Sequence, residues 1–270
     1  MKLGLGSYAF AWAIGIPGHR PSRPMDARGL LAEARRLGVR VVQICDNLPL
    51  HHLTGAELAD IEAEARDSGI AVEVGTRGLR MEGMREYLRL AVRFGSPFVR
   101  IVVDSPGDEP PPDEVVARLR RLIPEYHDAG VRIAIENHDR FRCQTLVSIL
   151  DRAGPEQVGI CLDTVNSFGA LEGPEVVVRT LAPHTLSLHV KDFTIARVDS
   201  MLGFVVTGSP AGEGRLDLPW LFKSLQAAGR EVNAILETWP PLGPTPEATV
   251  ARERDWAERS VRHLRSVIPD

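Results

Sequence analysis

The sequence has few cysteines, no marked excess of one charge and no long apolar run, and each absence excludes a class of protein. Its 270 residues include three cysteines, an odd number without a Cys-x-x-Cys spacing, which argues against a disulfide framework and favours a reducing compartment. The formal net charge of −4 gives no reason to expect a nucleic acid partner. No apolar run approaches the ~20 residues of a membrane span, so we expect no membrane partner.

The stretch from Met1 to Ile16 superficially resembles a secretory signal peptide, because Lys2 precedes a mainly apolar run. Its three glycines, however, would make a poor apolar core for a signal. Residues 2–7 are also needed as the first strand of the repeat described next. We therefore expect a cytoplasmic protein.

A short pattern recurs along the chain: the end of a helix, a glycine, and then an apolar strand. The glycines are Gly38, Gly69, Gly95, Gly130, Gly154 and Gly229. A glycine just past a helix supplies the left-handed residue that ends it. An apolar run after that glycine is typical of a strand buried on both faces, and strands that alternate with helices predict a parallel sheet.

Counting the apolar runs gives eight strands, each followed by a helical pattern. They lie at roughly residues 2–7, 39–45, 70–75, 98–103, 131–136, 158–163, 185–190 and 232–238. Eight such units in 270 residues predict an α/β fold, a single (β/α)8 TIM barrel domain that covers residues 1–270.

Helix signals support this assignment. Thr54 and Glu57 have the spacing of a capping box, Thr245-Pro246 reads as an N-cap with proline at the first helical position, and Asp217 caps a further helix. Pro124 is expected to kink or end the helix before strand five. We expect the long loops at 9–24 and 191–216 to act as lids over the carboxyl face of the barrel.

Four of the predicted strands end in a side chain that can bind a metal. Glu136, Asp163, His189 and Glu237 close strands five, six, seven and eight. Because neighbouring strands lie about 4.8 Å apart, four consecutive strand ends on one rim could meet at a single cation. Three carboxylates and one imidazole form a hard, oxygen-rich set that favours Mn, Mg or Co-like ions over a thiolate zinc site.

Proton abstraction next to a carbonyl suits this arrangement. A metal would polarise the carbonyl and stabilise the ene-diolate that develops. One carboxylate takes a proton and a second returns one. Glu136 and Glu237 are the natural catalytic pair, with Asp163 and His189 as fixed ligands.

The sequence resembles the xylose isomerase-like TIM barrels, the sugar phosphate isomerase/epimerase superfamily. The resemblance covers essentially the whole chain. It rests on 135–138 (Ile-Glu-Asn-His), 162–166 (Leu-Asp-Thr-Val-Asn), 189–192 (His-Val-Lys-Asp), 212–214 (Gly-Glu-Gly) with Asp217, and 236–238 (Leu-Glu-Thr). It implies Mn, Mg or Co on the Glu, Asp, His and Glu at these positions. It also implies, as in ketose 3-epimerases, acid and base roles for Glu136 and Glu237.

Two departures widen the choice of reaction. The epimerases often have Asp-x-x-His after strand six and Glu late in strand two, where this chain has Asn166 and Gln43. The first hypothesis is a metal-dependent isomerase or epimerase of a small polyhydroxylated ketone, either a sugar, a sugar acid or a cyclitol. The second is a lyase of the same superfamily, such as a 3-oxo-isoapionate-type sugar-acid decarboxylase. An endonuclease IV-like repair enzyme and a non-catalytic partner subunit rank lower.

Several further residues are candidates for substrate binding. His138 should point the same way as Glu136, and Lys191 the same way as His189, because side chains two apart on a strand share a face. Lys191 could stabilise an enolate or a carboxylate, although each of the two residues has an ordinary structural alternative. The remaining candidates are Asn166, Arg197, Tyr8 and Trp12, of which Arg197 could equally be a surface charge, and Tyr8 and Trp12 core packing. A homo-oligomer is also a possible assembly.

Overall fold

Eight parallel strands close into a barrel, as the repeat predicts. The computed structural model describes residues 1–268. The strands are β1 (Leu3–Gly6), β2 (Val41–Ile44), β3 (Ala71–Arg77), β4 (Phe98–Val102), β5 (Arg132–Glu136), β6 (Val158–Asp163), β7 (Thr185–Val190), a separate hairpin of β8 (Asp192–Arg197) and β9 (Phe204–Ser209), and β10 (Ala234–Leu236). The barrel order is β1-β10-β7-β6-β5-β4-β3-β2, and pairing of Leu3 with Ala234 closes it.

Helices connect the strands and cover the outside of the barrel. They are α1 (Ala11–Ile14), α2 (Ala27–Arg36), α3 (Gly55–Asp67), α4 (Met81–Phe94), α5 (Pro112–Asp128), α6 (Cys143–Ala153), α7 (Pro174–Leu181), α8 (Leu218–Ala227) and α9 (Pro246–Val267). Five of the six glycines that precede strands behave as predicted, whereas Gly154 ends α6 with a φ of 139°. Gly38, Gly69, Gly95, Gly130 and Gly229 have φ between 62° and 70°, the left-handed region that side chains with a Cβ rarely adopt.

The predicted helix starts are confirmed, and of the two outcomes expected for Pro124, a kink or an end of the helix, the end does not occur. Thr54 and Glu57 form a reciprocal capping box, and the side chains of Asp217 and Thr245 accept backbone N–H groups at the starts of α8 and α9. Helix α5, however, does not end at Pro124 but continues through it to Asp128. Tyr126, which follows the proline, is fully buried and donates its hydroxyl to the carbonyl oxygen of Met84. Packing of this last turn therefore outweighs the backbone hydrogen bond that a proline removes.

The segment after β7 is more regular than the sequence suggests. The sequence pattern predicts a long loop at 191–216, but β8 and β9 pair in antiparallel register over six residues each, from Asp192–Ser209 to Arg197–Phe204. The hairpin projects from the carboxyl face. Its tip exposes Leu202 and Phe204, which are 91% and 64% accessible. In residues 1–268, no helix combines the length and the apolar character that a bilayer crossing requires.

A buried carboxylate joins the first strand-to-helix connection to the last helix. Glu253 on α9 has no accessible surface, and its two oxygens accept the backbone N–H groups of Trp12, at 2.8 Å, and Ala13, at 2.9 Å. These N–H groups belong to the first turn of α1 and have no partner within that helix. Burial raises the pKa of Glu253 to about 8, although the two hydrogen bonds lower it.

The raised pKa of Glu253 predicts how the stability of the protein depends on pH. The folded protein holds a proton on Glu253 that the unfolded chain releases above its ordinary pKa of 4.5. The contribution of protonated Glu253 is therefore complete below about pH 4.5 and lost as the pH rises through about 8. Relative to Glu253→Gln, the wild type should lose free energy of unfolding between about pH 5 and pH 8 in urea titrations. Glu247→Gln, at an exposed site on α9, is the control. Parallel pH profiles for wild type and Glu253→Gln would contradict the assignment.

Candidate metal centre

Four side chains from four neighbouring strand ends meet inside the carboxyl end of the barrel. The Nδ1 atom of His189 lies 3.3 Å from Glu136 Oε2, 3.5 Å from Glu237 Oε1 and 3.7 Å from Asp163 Oδ2. All four residues are at most 2% accessible. Glu136 ends β5, Asp163 ends β6, His189 lies in β7, and Glu237 follows β10, so the structure brings together the four residues that the sequence analysis singled out.

Small residues leave room for this cluster. Gly6 on β1 faces the side chain of Glu237, and a Cβ atom at residue 6 would stand only 2.9 Å from both Cγ and Oε1 of Glu237. Gly75 on β3 likewise lies under Arg100, whose Cδ would be 3.0 Å from a Cβ at residue 75. The glycines on β1 and β3 therefore determine where the long side chains of β10 and β4 can lie.

The orientation of His189 leaves a lone pair facing the carboxylates. Its Nε2 atom lies 2.6 Å from Gln43 Oε1, an atom that can only accept, so Nε2 carries the proton. The Nδ1 atom then needs either a second proton or a cation. Burial opposes a second proton, but Cys161, Glu237 and Glu136 raise the pKa of His189 well above its usual range.

Four buried atoms of the cluster have no hydrogen-bond partner within residues 1–268. They are Asp163 Oδ2, His189 Nδ1, Glu237 Oε1 and Glu237 Oε2. Unpartnered buried carboxylate oxygens are costly unless a cation neutralises them. These four residues therefore fit a divalent metal, with Glu136 Oε2 as the nearest further oxygen. A second possible group, Glu136, Cys161 and His189, shares two of these residues.

Local backbone geometry prepares Asp163 for this role. Its Oδ1 atom accepts the backbone N–H groups of Val165 and Asn166, at 2.8 and 2.9 Å, so Oδ2 is left to face the cluster. Burial raises the pKa of Asp163, but Lys191 and His189 outweigh it, and the pKa lies well below the usual range. Asp163 is thus an ionised carboxylate whose Oδ2 atom faces the cluster, with Lys191 Nζ 2.9 Å away.

Glu136 differs from Glu237 in having both oxygens occupied. Asn166 Nδ2 donates to Glu136 Oε1 at 2.7 Å, and Arg100 Nε donates to Oε2. Arg100 lies on β4, and its side chain is 3% exposed. Burial raises the pKa of Glu136, but the Arg100 guanidinium and His189 more than offset it, so the pKa is lowered. Glu136 is therefore held as a carboxylate.

Lys191 brings a positive charge to the other side of the cluster. Its Nζ atom lies 2.9 Å from both Asp163 Oδ2 and Glu237 Oε2, at ion-pair distance but without hydrogen-bond alignment. Nζ also donates to Asn166 Oδ1 at 3.3 Å. Burial lowers the pKa of Lys191, but Asp163 and Glu237 raise it well above its usual value. The side chain keeps 13% exposure, so the ammonium group borders the mouth of the barrel.

A further carboxylate, that of Asp46, extends the charge network towards β2 and β3. Asp46 accepts hydrogen bonds from Arg100 Nη1 at 2.8 Å, from the hydroxyl of Tyr8 at 2.9 Å and from Arg77 Nε at 3.3 Å. Burial raises the pKa of Asp46, but Arg100 and its other partners lower it overall. Tyr8, a predicted substrate contact, therefore stands beside the buried ion pairs.

The remaining predicted substrate contacts lie farther from the centre. Trp12 donates its indole N–H to the carbonyl of Pro240 at 3.0 Å, and His138 Nδ1 is 2.6 Å from Asp139 Oδ1. Arg197 lies at the end of β8, donates to the carbonyl of Met201 and stacks on Phe204. These contacts are structural, and the substrate roles of Trp12, His138 and Arg197 stay predictions.

The sequence analysis missed Arg100, Arg77 and Glu73. Arg100 and Glu73 each interrupt an apolar strand, at 98–102 and 71–77. Alternate side chains of a barrel strand point into the barrel. A charged residue at such an inward position in the middle of a buried strand is the signal that could have identified both. Arg77, at the end of β3, occupies the same kind of position as Glu136.

Comparison with known proteins places the chain in a family. Residues 31–267 match the family model described as xylose isomerase-like TIM barrel. A 3-oxo-isoapionate decarboxylase from Pectobacterium atrosepticum is 32% identical over 264 residues, covering 98% of this chain and 95% of that protein.

Solved structures share the fold. A D-psicose 3-epimerase, determined in the presence of D-fructose, superposes with a TM-score of 0.74, at 15% identity and with 100% of both chains covered. A xylose isomerase-like TIM barrel protein from Mycobacterium smegmatis, in complex with magnesium, superposes with a TM-score of 0.70, at 14% identity and with 97% of both chains covered.

The geometry predicts that divalent metals stabilise the fold. Metal at about 100 times its Kd should add about 2.7 kcal/mol to the free energy of unfolding, which at this chain length raises Tm by roughly 5–10 °C. Asp163→Asn keeps the oxygen that accepts the two backbone N–H groups but replaces Oδ2, the oxygen that would bind the metal. It should therefore lose most of this increase in Tm. Asp139→Asn, at an exposed carboxylate on the same rim, should keep it. Thermal unfolding with Mn²⁺, Mg²⁺, Co²⁺ or EDTA measures the effect, and identical wild-type curves in all four would contradict it.

Proposed function

The chain belongs to the xylose isomerase-like TIM barrel family, and from this premise we propose that it is a divalent-metal-dependent decarboxylase of a 3-oxo sugar acid. The observation that carries the proposal is the state of Glu136. Asn166 and Arg100 occupy both of its oxygens, and its pKa is lowered by Arg100 and His189 despite burial. Glu136 is therefore poorly suited to take up and release a proton.

The two reaction classes differ in how many proton-transfer groups they need. A 3-epimerase needs two acid–base groups, because a proton leaves one face of the carbon and another returns to the opposite face. A decarboxylase needs only one donor, because carbon dioxide leaves and a single proton replaces it. One carboxylate held by Asn166 and Arg100, beside one ammonium group that can donate, Lys191, matches the second requirement better.

The charge of the site supports an anionic substrate. The carboxylates of Glu136, Asp163, Glu237 and Asp46 face the cations Arg100, Arg77 and Lys191. These seven groups sum to minus one, so a divalent ion would leave one net positive charge among them. A monoanionic sugar acid would neutralise it, whereas a neutral ketose would not.

Similarity supports the same substrate class. The Pectobacterium relative, a 3-oxo-isoapionate decarboxylase, is 32% identical and matches almost the full length of both chains. The epimerase structure is 15% identical and supports the barrel fold alone.

We assign the metal ligands as Glu136, Asp163, His189 and Glu237, with Mn, Mg or Co as the ion. When bound, such an ion acts as a Lewis acid that draws electron density towards the substrate carbonyl. The bond between the carboxylate carbon and C2 breaks, carbon dioxide leaves, and the electron pair forms an enediolate with the C3 carbonyl. Arg100 keeps Glu136 ionised, and Asn166 orients both Glu136 and Lys191.

Lys191 supplies the proton in this proposal. Asp163 and Glu237 keep its amine protonated despite burial, so a proton is held beside the centre. A divalent ion bound to these two carboxylates would neutralise them and so make the ammonium a stronger acid. The ammonium transfers one proton to C2 of the enediolate, and the neutral amine is reprotonated from solvent through its exposed edge. The ammonium also stabilises the negative charge before this transfer.

The second candidate is an isomerase or epimerase of a small polyhydroxylated ketone. It is favoured by Glu237, whose two oxygens have no hydrogen-bond partner within residues 1–268 and could accept a substrate proton. In this reaction Glu136 and Glu237 would act as the acid–base pair.

The two candidates predict different products. Mn-loaded protein in D2O should release labelled carbon dioxide from a 3-oxo sugar acid that carries ¹³C in its carboxylate, and deuterium should appear on the product carbon that was C2 of the acid. Carbon NMR follows both events. Deuterium exchange into ketoses or inososes without loss of carbon would replace the decarboxylase with the isomerase. Absence of any turnover by metal-loaded protein would favour a non-catalytic role.

The role of Lys191 predicts the effect of its removal. Lys191→Met should lower kcat roughly 10²- to 10⁴-fold, because the enediolate loses its proton donor. Lys191→Arg keeps the positive charge, but a guanidinium is a much weaker acid than an ammonium. Compared with Lys191→Met, this variant should therefore regain substrate affinity but little of the lost kcat. The test is steady-state kinetics, with Mn²⁺ affinity measured in parallel. An unchanged kcat in Lys191→Met would remove the residue from the mechanism.

A further inference from the structure

The amide of Gln43 has one orientation that satisfies all of its neighbours. Its Nε2 group donates to Glu73 Oε2 at 2.9 Å and to Ser187 Oγ at 3.2 Å. Its Oε1 atom accepts from His189 Nε2 at 2.6 Å. If the amide were turned over, its NH₂ group would face the N–H of His189 and its oxygen would face the carboxylate of Glu73.

Glu73 enforces this orientation because its carboxylate can only accept when ionised. Its second oxygen, Oε1, accepts from Asn233 Nδ2 at 2.7 Å. The residue is 2% accessible, and its hydrogen-bond partners are amides rather than cations. Burial raises the pKa of Glu73, and its bonds to Asn233 and Gln43 lower it in part.

A buried carboxylate with amide partners is a costly way to fill the barrel interior, since an apolar residue of similar size would avoid its desolvation. Glu73 nevertheless points into the barrel beneath the cluster, and Gln43 connects it to His189. The hydrogen bonds pass from β3 through β2 to β7, and Asn233 extends them to the residue before β10.

We infer that Glu73 is a positioning residue for the metal centre: through Gln43 it holds the proton of His189 on Nε2 and so keeps Nδ1 directed at Glu136, Asp163 and Glu237. The inference rests on the proposed metal site but not on the identity of the reaction. Groups that orient a histidine ligand in this way typically contribute 10- to 100-fold to metal affinity.

The test compares Mn²⁺ affinity, measured by calorimetric titration, in four variants and the wild type. Gln43→Met removes the acceptor for His189, and Glu73→Met frees the Gln43 amide to turn; each should weaken Mn²⁺ binding roughly 10- to 100-fold. The double variant should bind no more weakly than Gln43→Met, because Glu73 acts only through Gln43. Glu73→Gln should bind nearly as the wild type does, since its amide oxygen can still accept from Gln43 while Asn233 turns over.

Glu253→Met is the matched control, because it replaces another fully buried glutamate with the same residue but lies on α9. It should lower stability without changing Mn²⁺ affinity. A second readout needs no metal. Exchange of the His189 Nε2–H proton with solvent, followed by ¹⁵N NMR, should be faster in Glu73→Met than in wild type or Glu73→Gln.

The outcomes separate this inference from the proposed function. If the wild type binds no divalent metal, both the proposed metal centre and the inference are overturned. If the wild type binds Mn²⁺ and Glu73→Met binds it equally well with unchanged proton exchange, only the inference is overturned. Gln43→Met tests the same connection should Glu73→Met fail to fold, and an unchanged affinity there would likewise overturn it.

Discussion

The charge balance around His189 is the constraint on which the rest of the site depends. Three carboxylates and one imidazole nitrogen are gathered where almost no water reaches them. Such a group is unstable alone, and two cationic side chains packed against it reduce its negative charge. Arg100 neutralises Glu136 from one side, and Lys191 neutralises Asp163 and Glu237 from the other. The negative charge that these two cations leave uncompensated fits the divalent ion proposed for this site.

The residues that balance the charge of the cluster lie inside the barrel and are not part of the apolar core. Arg100, Glu73 and Gln43 point inwards from β4, β3 and β2, while the apolar residues between them pack outwards against the helices. A parallel barrel permits this division because its hydrophobic core lies mainly between strands and helices. The interior can therefore be polar without loss of the fold, provided that each polar group has a partner.

The sequence predicts the fold better than the details of the site. All eight barrel strands could be read from apolar runs, six of them led by a glycine, because a strand buried on both faces leaves a strong local pattern. The hairpin of β8 and β9 was not predicted because no helix separates its two strands, whereas the barrel strands were recognised by their alternation with helices. Helix α5 passes Pro124 because of packing that only tertiary structure reveals. The four strand-end ligands were visible as charged ends of apolar runs. Arg100, Glu73 and the amide of Gln43 act through pairings across the barrel, and spacing along one strand contains no information about which strands face each other.

Closure of the barrel has a consequence for how the protein is made. The pairing that closes it joins β1 to β10, which are more than two hundred positions apart in the sequence. A chain emerging from the ribosome can form helices and most strand pairs early, but Gly6 must wait for Glu237 to arrive, and Glu237 follows the last strand to be synthesised. Contacts of such long range form late and slowly. Until then Asp163 and His189 lack one side of their cavity, so the cluster of Glu136, Asp163, His189 and Glu237 is completed only by the strand pairing that closes the barrel.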